Sequence, residues 1–258
     1  VVLAGGEPVH AELKLPDFHI DWNEVKKLMN QRTRMIIINT PHNPTGAILS
    51  VKDFQMLEKI TAKTDIFVLS DEVYEHVIFD GYEHQSVARF PKLAERSFIV
   101  YSFGKTFHTT GWKMGYCIAP SKLMAEFRKA HQFMVFSANT PIQYAYAEFM
   151  KDAKNYSGIE KFYQDKRDYF LKLIQGTSFK PLACSGSYFQ LLDYSKLSDE
   201  KDMDFAVKLT KEYGIASIPV SAFYRNGTDH KLLRFCFAKS DETLERAASR
   251  LLKVGKNR

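Results

Sequence analysis

The 258-residue sequence predicts an α/β protein in which an open, mostly parallel sheet with flanking helices is followed by a smaller C-terminal α+β domain. Short apolar runs without in/out alternation are typical of strands that are buried on both faces of a sheet. Amphipathic segments lie between or after these runs, as in sheets that are covered by helices. From about residue 152 the pattern changes to a long polar helix and alternating strands. We therefore expect residues 1–152 to form part of a large domain and residues 153–258 a small one.

Four apolar runs predict the strands of the large domain: Met35 to Asn39, Ile66 to Ser70, Phe98 to Tyr101 and Gly115 to Ala119. The last two runs are separated by too few residues for a full helical crossover, so we do not expect them to be simple parallel neighbours. Two amphipathic segments predict helices: Ser50 to Lys63, which opens with a Ser-x-x-Asp capping pattern, and Leu123 to Phe136.

The C-terminal part begins with a predicted helix from Ile159 to Leu173 and continues with predicted strands from Ser187 to Asp193 and from Leu232 to Ala238. A final helix is predicted after the N-cap residue Ser240, because acidic residues occupy its first turn. Apolar residues recur on one face of that helix: Leu244, Ala248, Leu251 and Leu252. At the other end of the chain, residues 1–17 are typical of a helix end that runs into a strand, as in the middle of a domain.

Composition narrows the classes of function. The chain has 36 Lys and Arg against 30 Asp and Glu, a formal net charge of +6, but the two signs are interspersed. This favours a solvated basic surface over a nucleic-acid site. Apolar runs fall short of the ~20 residues that cross a bilayer, so no membrane partner is expected. Cys117, Cys184 and Cys236 lack disulfide or metal-ligand spacing, so we expect no metal site and a reducing, cytoplasmic location.

Polar motifs follow three consecutive predicted strands, at the edge where ligands bind in open α/β sheets. PHNPTG (Pro41 to Gly46) follows the first strand, DEVY (Asp71 to Tyr74) the second and SFGK (Ser102 to Lys105) the third. Alone, each motif has an ordinary structural interpretation: a turn, a helix N-cap and a surface lysine. Together the three strand ends present polar groups to one crevice.

The combination of motifs resembles a known family. PHNPTG, SDEVYEHVIFDG, SFGKTFHTTGWKMGYCIAP and LLRFCFAKSDETL match, in order and spacing, the signature blocks of class I and II aminotransferases. These are fold-type I enzymes that depend on pyridoxal 5'-phosphate (PLP). The resemblance runs from the first residues to about Val254, and it is greatest to the branch that contains methionine and kynurenine aminotransferases. It implies an amino-acid donor, a 2-oxo-acid acceptor and a homodimer.

The resemblance also implies roles for residues of this chain. Lys105 would carry PLP as a Schiff base and act as general base and acid. Asp71 would keep the pyridine nitrogen protonated, so that the ring can accept electrons. Tyr74 and Asn43 would hydrogen-bond the phenolic oxygen of PLP. Ser102 and Lys113 would bind the phosphate, with Lys113 standing where many family members have Arg.

Substrate recognition follows from the same resemblance. Arg234 would hold the substrate α-carboxylate through two parallel hydrogen bonds, with Asn43 also at the substrate. Five aromatic residues lie close in sequence to the motifs, and core packing is the expected role for most of them: Phe103, Phe107, Phe133, Phe136 and Tyr188. If two or three line the pocket, an uncharged and largely apolar substrate is expected, such as methionine, an aromatic amino acid or kynurenine.

Members of that family begin well before the position that matches the first residue of this sequence. Their earlier part includes a glycine-containing turn that receives the phosphate of PLP, so we expect these 258 residues alone to hold PLP poorly. Two other activities stay open. A carbon–sulfur β-lyase uses the same lysine and aspartate but releases pyruvate and ammonia without a 2-oxo acid. The aminotransferase-like effector domain of PLP-responsive transcription regulators binds ligand without turnover. A purely structural protein would leave the alignment of the motif residues without a reason.

Overall fold

A computed structural model describes residues 1–255 of the chain, which divide into two compact units. One unit, called the sheet unit here, comprises Asn30–Pro41 and Ile48–Phe162. The other, called the C-terminal unit, comprises Val1–Met29, His42–Ala47 and the described chain from Tyr163 onward. The functional domain boundary expected near residue 152 stays a prediction.

Nine α-helices are found in the described chain: α1 Trp22–Leu28, α2 Val51–Thr61, α3 Pro91–Ala94, α4 Phe103–Thr106, α5 Ser121–Met134, α6 Thr140–Phe149, α7 Ile159–Leu173, α8 Asp202–Tyr213 and α9 Asp241–Leu251. The same residues contain eight strands: β1 Met35–Asn39, β2 Phe67–Asp71, β3 Ser97–Ser102, β4 Gly115–Ile118, β5 Lys180–Pro181, β6 Phe189–Asp193, β7 Ile218–Pro219 and β8 Leu232–Cys236. Short 3-10 turns connect several of them.

The sheet unit contains a four-stranded sheet in the order β1-β2-β3-β4. The first three strands are parallel, and their register aligns Asn39 with Asp71 and Asp71 with Val100. Strand β4 runs antiparallel to β3, with Ser102 opposite Gly115. The prediction that the last two strands are not parallel neighbours is confirmed, because the link between them holds α4 and a 3-10 turn rather than a crossover helix.

The two faces of this sheet differ in burial. On one face Ile38, Val68 and Ile99 are buried. On the other face of β1, Met35 is 39% and Ile37 52% exposed. The expectation that all four strands are buried on both sides is therefore wrong for β1, and it is wrong for β4 as well. The physical reason is that described elements cover one face of the sheet more completely than the other.

The C-terminal unit contains a second sheet in the order β5-β6-β8-β7, with antiparallel pairing throughout. Helix α9 begins after Ser240, whose hydroxyl caps the helix by accepting a hydrogen bond from the backbone of Thr243. Three of the four predicted apolar positions on α9 are buried: Leu244, Ala248 and Leu251. The predicted C-terminal helix and its N-cap are confirmed.

Local signals also located two of the earlier helices, α2 and α7. Helix α2 begins after Ser50, and a capping box joins Ser50 and Asp53. Helix α7 has the predicted bounds. The prediction for residues 1–17 is wrong, because this segment holds a 3-10 turn at Val2–Ala4 and an isolated bridge from Lys14 to His19 instead of a helix end and a strand. Two prolines, Pro8 and Pro16, deprive this segment of backbone donors that a strand ladder needs.

Two aromatic residues for which core packing was expected lie at the surface. Phe133 near the end of α5 is 89% exposed, and Phe136 just after it is 81% exposed. Phe103, in contrast, stacks with Phe107 and with Tyr146 of α6, and Phe107 packs against Tyr146 in a tilted pair. Within residues 1–255, no helix combines the length and the apolar character that crossing a membrane requires.

Candidate active site

The loop from His42 to Ala47, which follows β1, is closed by its own backbone. The His42 amide donates to the carbonyl of Ala47, and the Gly46 amide donates to the carbonyl of His42, both at 2.8 Å. Gly46 has a positive φ of 74°, and a Cβ at this position would lie 2.7 Å from Sγ of Cys184. Glycine is therefore required, both by backbone conformation and by close packing against residues 184–186.

Asn43 in this loop is hydrogen-bonded to Arg234 on β8. Nη1 of Arg234 donates to Oδ1 of Asn43 at 2.5 Å. The guanidinium carbon of Arg234 lies 3.9 Å from the centroid of the Phe189 ring and 5.2 Å from that of Phe223. An in-plane hydrogen bond and a ring against the guanidinium face together fix the orientation of the arginine. The C-terminal unit thus brings together the two residues predicted to bind substrate.

Asp71 is the last residue of β2, and its backbone carbonyl is held from the β1 side. Its carbonyl accepts hydrogen bonds from the Thr40 amide and from Nδ2 of Asn39, each at 3.0 Å. Its carboxylate accepts from the Val73 amide at 3.3 Å. Burial raises the pKa of Asp71 above its ordinary value, and the Val73 hydrogen bond and the charge of Lys105 oppose this rise. The aspartate is therefore a partly buried carboxylate whose charged form is favoured by a nearby cation.

Lys105 lies on α4, the single-turn helix that begins directly after β3. Its Nζ is 5.8 Å from the ring centroid of Tyr74, whose side chain is almost fully buried. The preceding residue must be small, since a Cβ on Gly104 would lie 3.0 Å from the Cα of Thr110. The sheet unit therefore groups a carboxylate and a phenol from the end of β2 and the turn after it with an amine from α4: Asp71, Tyr74 and Lys105.

The two predicted phosphate ligands occupy different settings. Ser102 is partly buried at the end of β3, where it is also the N-cap residue of α4. Lys113 is exposed and adopts the left-handed conformation, with φ 53° and ψ 43°, after the 3-10 turn Thr110–Trp112. A positive φ is uncommon for lysine, so the backbone here is constrained by its surroundings.

Three titratable residues within the motifs were given no role by sequence reasoning: Glu72, Glu75 and His42. Glu72, next to Asp71, is fully buried and hydrogen-bonded. Burial raises the pKa of Glu75 to about 7. Burial lowers the pKa of His42 to about 4, and its Nδ1 lies 2.8 Å from Oγ1 of Thr45. Strand alternation predicts that Ser70 and Glu72 lie on the opposite face of the sheet from Asp71. The partners of Glu72 could not be predicted, because they lie far away in the sequence.

Comparison with known proteins gives consistent matches. The sequence profile of the family "Aminotransferase class I and II" matches residues 1–251. Methionine aminotransferase of Escherichia coli (strain K12) is 45% identical over 97% of this chain, which spans 65% of that protein. Human kynurenine–oxoglutarate transaminase 3 is 34% identical over 98% of this chain, which spans 62% of that protein. The chain thus covers less than two thirds of these relatives.

Solved structures give the same result. The structure of E. coli YbdL, with which a methionine aminotransferase function was identified, has a TM-score of 0.91 and 45% identity. It matches over 93% of this chain and 64% of its own. The aromatic aminotransferase of Pyrococcus horikoshii OT3 has a TM-score of 0.90 and 32% identity, over 100% of this chain and 69% of its own.

We predict that His42 stays uncharged in the folded protein well below the ordinary histidine pKa of 6.5. As the pH falls from 6.5 toward 4, the unfolded chain binds a proton at His42 that the folded chain does not, so His42 lowers stability over this window. NMR titration of the eight histidines should show one midpoint near pH 4, and this signal should be absent in His42→Gln. A His42 midpoint near 6.5 would contradict the prediction.

Proposed function

Because this chain belongs to the class I and II aminotransferase family, we propose that it transfers the amino group of an L-amino acid to a 2-oxo acid, with PLP as cofactor. The family assignment confirms the resemblance that the four motifs indicated, and fold-type I aminotransferase structures confirm the α/β fold class. The observation that carries the proposal is the grouping of Lys105, Tyr74 and Asp71 in the sheet unit.

The side chains present suit PLP. The cofactor carries an aldehyde, a pyridine nitrogen, a phenolic oxygen and a phosphate. For the aldehyde the chain offers the amine of Lys105, and for the pyridine nitrogen it offers the carboxylate of Asp71. For the phenolic oxygen it offers the phenol of Tyr74 and the amide of Asn43, and for the phosphate the hydroxyl of Ser102 and the amine of Lys113. When bound, PLP supplies a protonated ring that accepts the electron pair released at the substrate Cα.

Each residue then has a definite task. Lys105 is the attachment point of the cofactor, and its amine moves the proton at the substrate Cα. Asp71 holds the proton on the pyridine nitrogen, and a cation there relieves the cost of its partly buried charge. Tyr74 donates a hydrogen bond to the phenolic oxygen, together with the amide of Asn43. Ser102 and Lys113 bind the phosphate as hydroxyl donor and cation.

Arg234 binds the α-carboxylate of the substrate in this proposal. Its support is the arrangement on β8: Asn43 fixes one edge of the guanidinium, and the Phe189 ring covers one face. The neighbours of Arg234 in sequence, Leu233 and Phe235, are buried on the opposite side of the strand. Arginine is suited to this task because its planar fork can make two parallel hydrogen bonds to a carboxylate.

We predict that Lys105→Ala lowers kcat/KM by about 10²–10⁴-fold, because the general base and acid is lost. Borohydride reduction of the full-length protein loaded with PLP, followed by peptide mapping, should label Lys105. The matched control is Lys122→Ala on α5, where the lysine is exposed and activity and labelling should be unchanged. A label on another lysine, with Lys105 unmodified, would refute the assignment.

The proposed substrates have uncharged and largely apolar side chains, such as methionine, an aromatic amino acid or kynurenine. The support is the set of relatives, which includes a methionine aminotransferase and several kynurenine–oxoglutarate transaminases. A hydrophobic site disfavours a second charge because a carboxylate that loses its water without a partner is costly.

We expect methionine or phenylalanine to give kcat/KM at least about 10-fold above that of aspartate, which corresponds to ~1.4 kcal/mol of discrimination. The measurement is a screen of amino donors against one fixed 2-oxo acid. Aspartate as the far better donor would overturn the proposed substrate class while leaving transamination itself intact.

A homodimer is part of the proposal, and its support is an apolar surface segment. Phe133, Met134 and Phe136 are all more than 80% exposed, and Tyr144 on α6 is 75% exposed. Such a concentration of large apolar side chains is unusual on a monomer and typical of an interface. A cytoplasmic location is also proposed, and its support is that Cys117, Cys184 and Cys236 are free thiols.

We predict that sedimentation of the full chain gives twice the chain mass and that Phe133→Ser with Phe136→Ser shifts the equilibrium toward monomer. Serine removes the apolar area that the second copy would cover. Tyr82→Ser is the control, since Tyr82 is 56% exposed and lies on a different turn. A wild-type monomer at micromolar concentration would contradict the proposed dimer.

A further inference from the structure

Glu72 is a fully buried carboxylate that lies between Asp71 and Tyr74 in the sequence. Four hydrogen-bond donors surround it. Oε1 accepts from the Ser70 hydroxyl at 2.8 Å and from the Val87 amide at 3.0 Å. Oε2 accepts from the Tyr101 hydroxyl at 3.0 Å and lies 2.9 Å from Nε2 of His84. The donors come from β2, β3 and the segment between them.

The donor set keeps Glu72 ionised. Burial by itself would raise the pKa of Glu72, but the hydrogen bonds from His84, Ser70 and the Val87 backbone outweigh burial and lower the pKa. A buried carboxylate is stable only when its oxygens are satisfied in this way. The network therefore places a fixed negative charge within the motif, directly next to Asp71 in the sequence and two residues before Tyr74.

The network also holds the backbone from which Asp71 and Tyr74 project. The Glu72 amide donates to the carbonyl of Val100 at 2.9 Å, and the Glu72 carbonyl accepts from the Glu75 amide at 3.0 Å. Consecutive strand residues point to opposite faces, so a side chain anchored at Glu72 sets the direction of the Asp71 carboxylate on the other face. Tyr74, two residues on, lies inside the turn that the Glu72 carbonyl closes.

We propose that Glu72 is a positioning residue for the aminotransferase reaction. Its hydrogen-bond network fixes Asp71 and Tyr74, and its charge favours the positively charged forms of bound PLP. The inference rests on the proposed function, since it gives Glu72 a role toward the same cofactor. It differs from a purely structural role because a negative charge at this position acts on the protonation of PLP as well as on folding.

Other titratable groups lie near Glu72 on the elements around it: Asp71 on β2, Glu75 in the following turn, His84 in the next loop, Tyr101 on β3 and Tyr116 on β4. Burial is the main cause that raises the pKa of Asp71, Glu75, Tyr101 and Tyr116, and the Glu72 charge adds to each rise. The charge of Lys105, in contrast, lowers the pKa of Asp71. Removal of the Glu72 charge should therefore lower the pKa of all four residues.

The experiment compares wild type, Glu72→Gln and the control Glu83→Gln, each as the full-length protein loaded with PLP. The readout is the pH at which the visible absorption band of bound PLP changes. Glutamine keeps the shape of Glu72 and removes its charge, so protonated PLP loses support and the midpoint should fall by about 0.5–1 pH unit. Glu83 lies in the same loop as His84 but is exposed, so its variant should keep the wild-type midpoint.

Kinetics provide the second readout. We expect kcat of Glu72→Gln to fall about 10-fold with KM nearly unchanged, because Glu72 acts on the reacting group rather than on substrate binding. Glu72→Asp, which keeps the charge but shortens the side chain, serves if the glutamine variant does not fold. It should keep the wild-type midpoint while kcat falls, and an unchanged kcat would overturn the inference.

The outcomes separate the two proposals. A wild type that binds PLP, together with a Glu72→Gln midpoint equal to that of wild type, overturns the role of Glu72 and leaves the proposed function intact. A lower melting temperature without a change in midpoint does the same, because it reveals a structural role alone. A wild type that takes up no PLP overturns the proposed function and this inference with it.

Discussion

The parallel hydrogen bonding of β1, β2 and β3 is the constraint on which the candidate site depends. Parallel strands end at the same edge of a sheet, and the observed register aligns Asn39, Asp71 and Val100 across that edge. The segment after β2 carries Tyr74, and the single turn of α4 after β3 carries Lys105. Because the strand pairing fixes where each segment begins, an amine, a phenol and a carboxylate meet without any one segment containing all three.

Two adjacent carboxylates show how environment separates chemical roles. The Asp71 carboxylate accepts one backbone hydrogen bond, and burial raises its pKa. Glu72 is more deeply buried but has four donors, and its pKa is lowered. The donors decide the outcome, since burial acts on both residues in the same sense. Neighbouring groups whose pKa values are pushed apart are typical of sites that combine a fixed charge with a group that responds to its ligand.

The sequence was informative wherever the signal is local. The cap at Ser50, the bounds of α7 and the buried face of α9 follow from spacing within one element. Burial of both faces of β1 could not be judged locally, because it depends on what other segments cover. The same holds for Phe133 and Phe136, whose aromatic character alone suggested a core. Motifs predicted Lys105 and Asp71 as a pair, but Glu72 escaped notice because its partners His84 and Tyr101 are distant in sequence.

In the proposed function Arg234 binds the substrate carboxylate, and its restraint would prepare it before that ligand arrives. A free arginine side chain loses rotamer freedom on binding, and this loss weakens affinity. Here the hydrogen bond to Asn43 restricts rotation within the guanidinium plane, and the Phe189 ring restricts tilting out of it. Asn43 is in turn held by a loop whose Gly46 packs against Cys184 too closely for any side chain. The conformational cost is thus met during folding, so that more of the energy of the carboxylate hydrogen bonds remains available for binding.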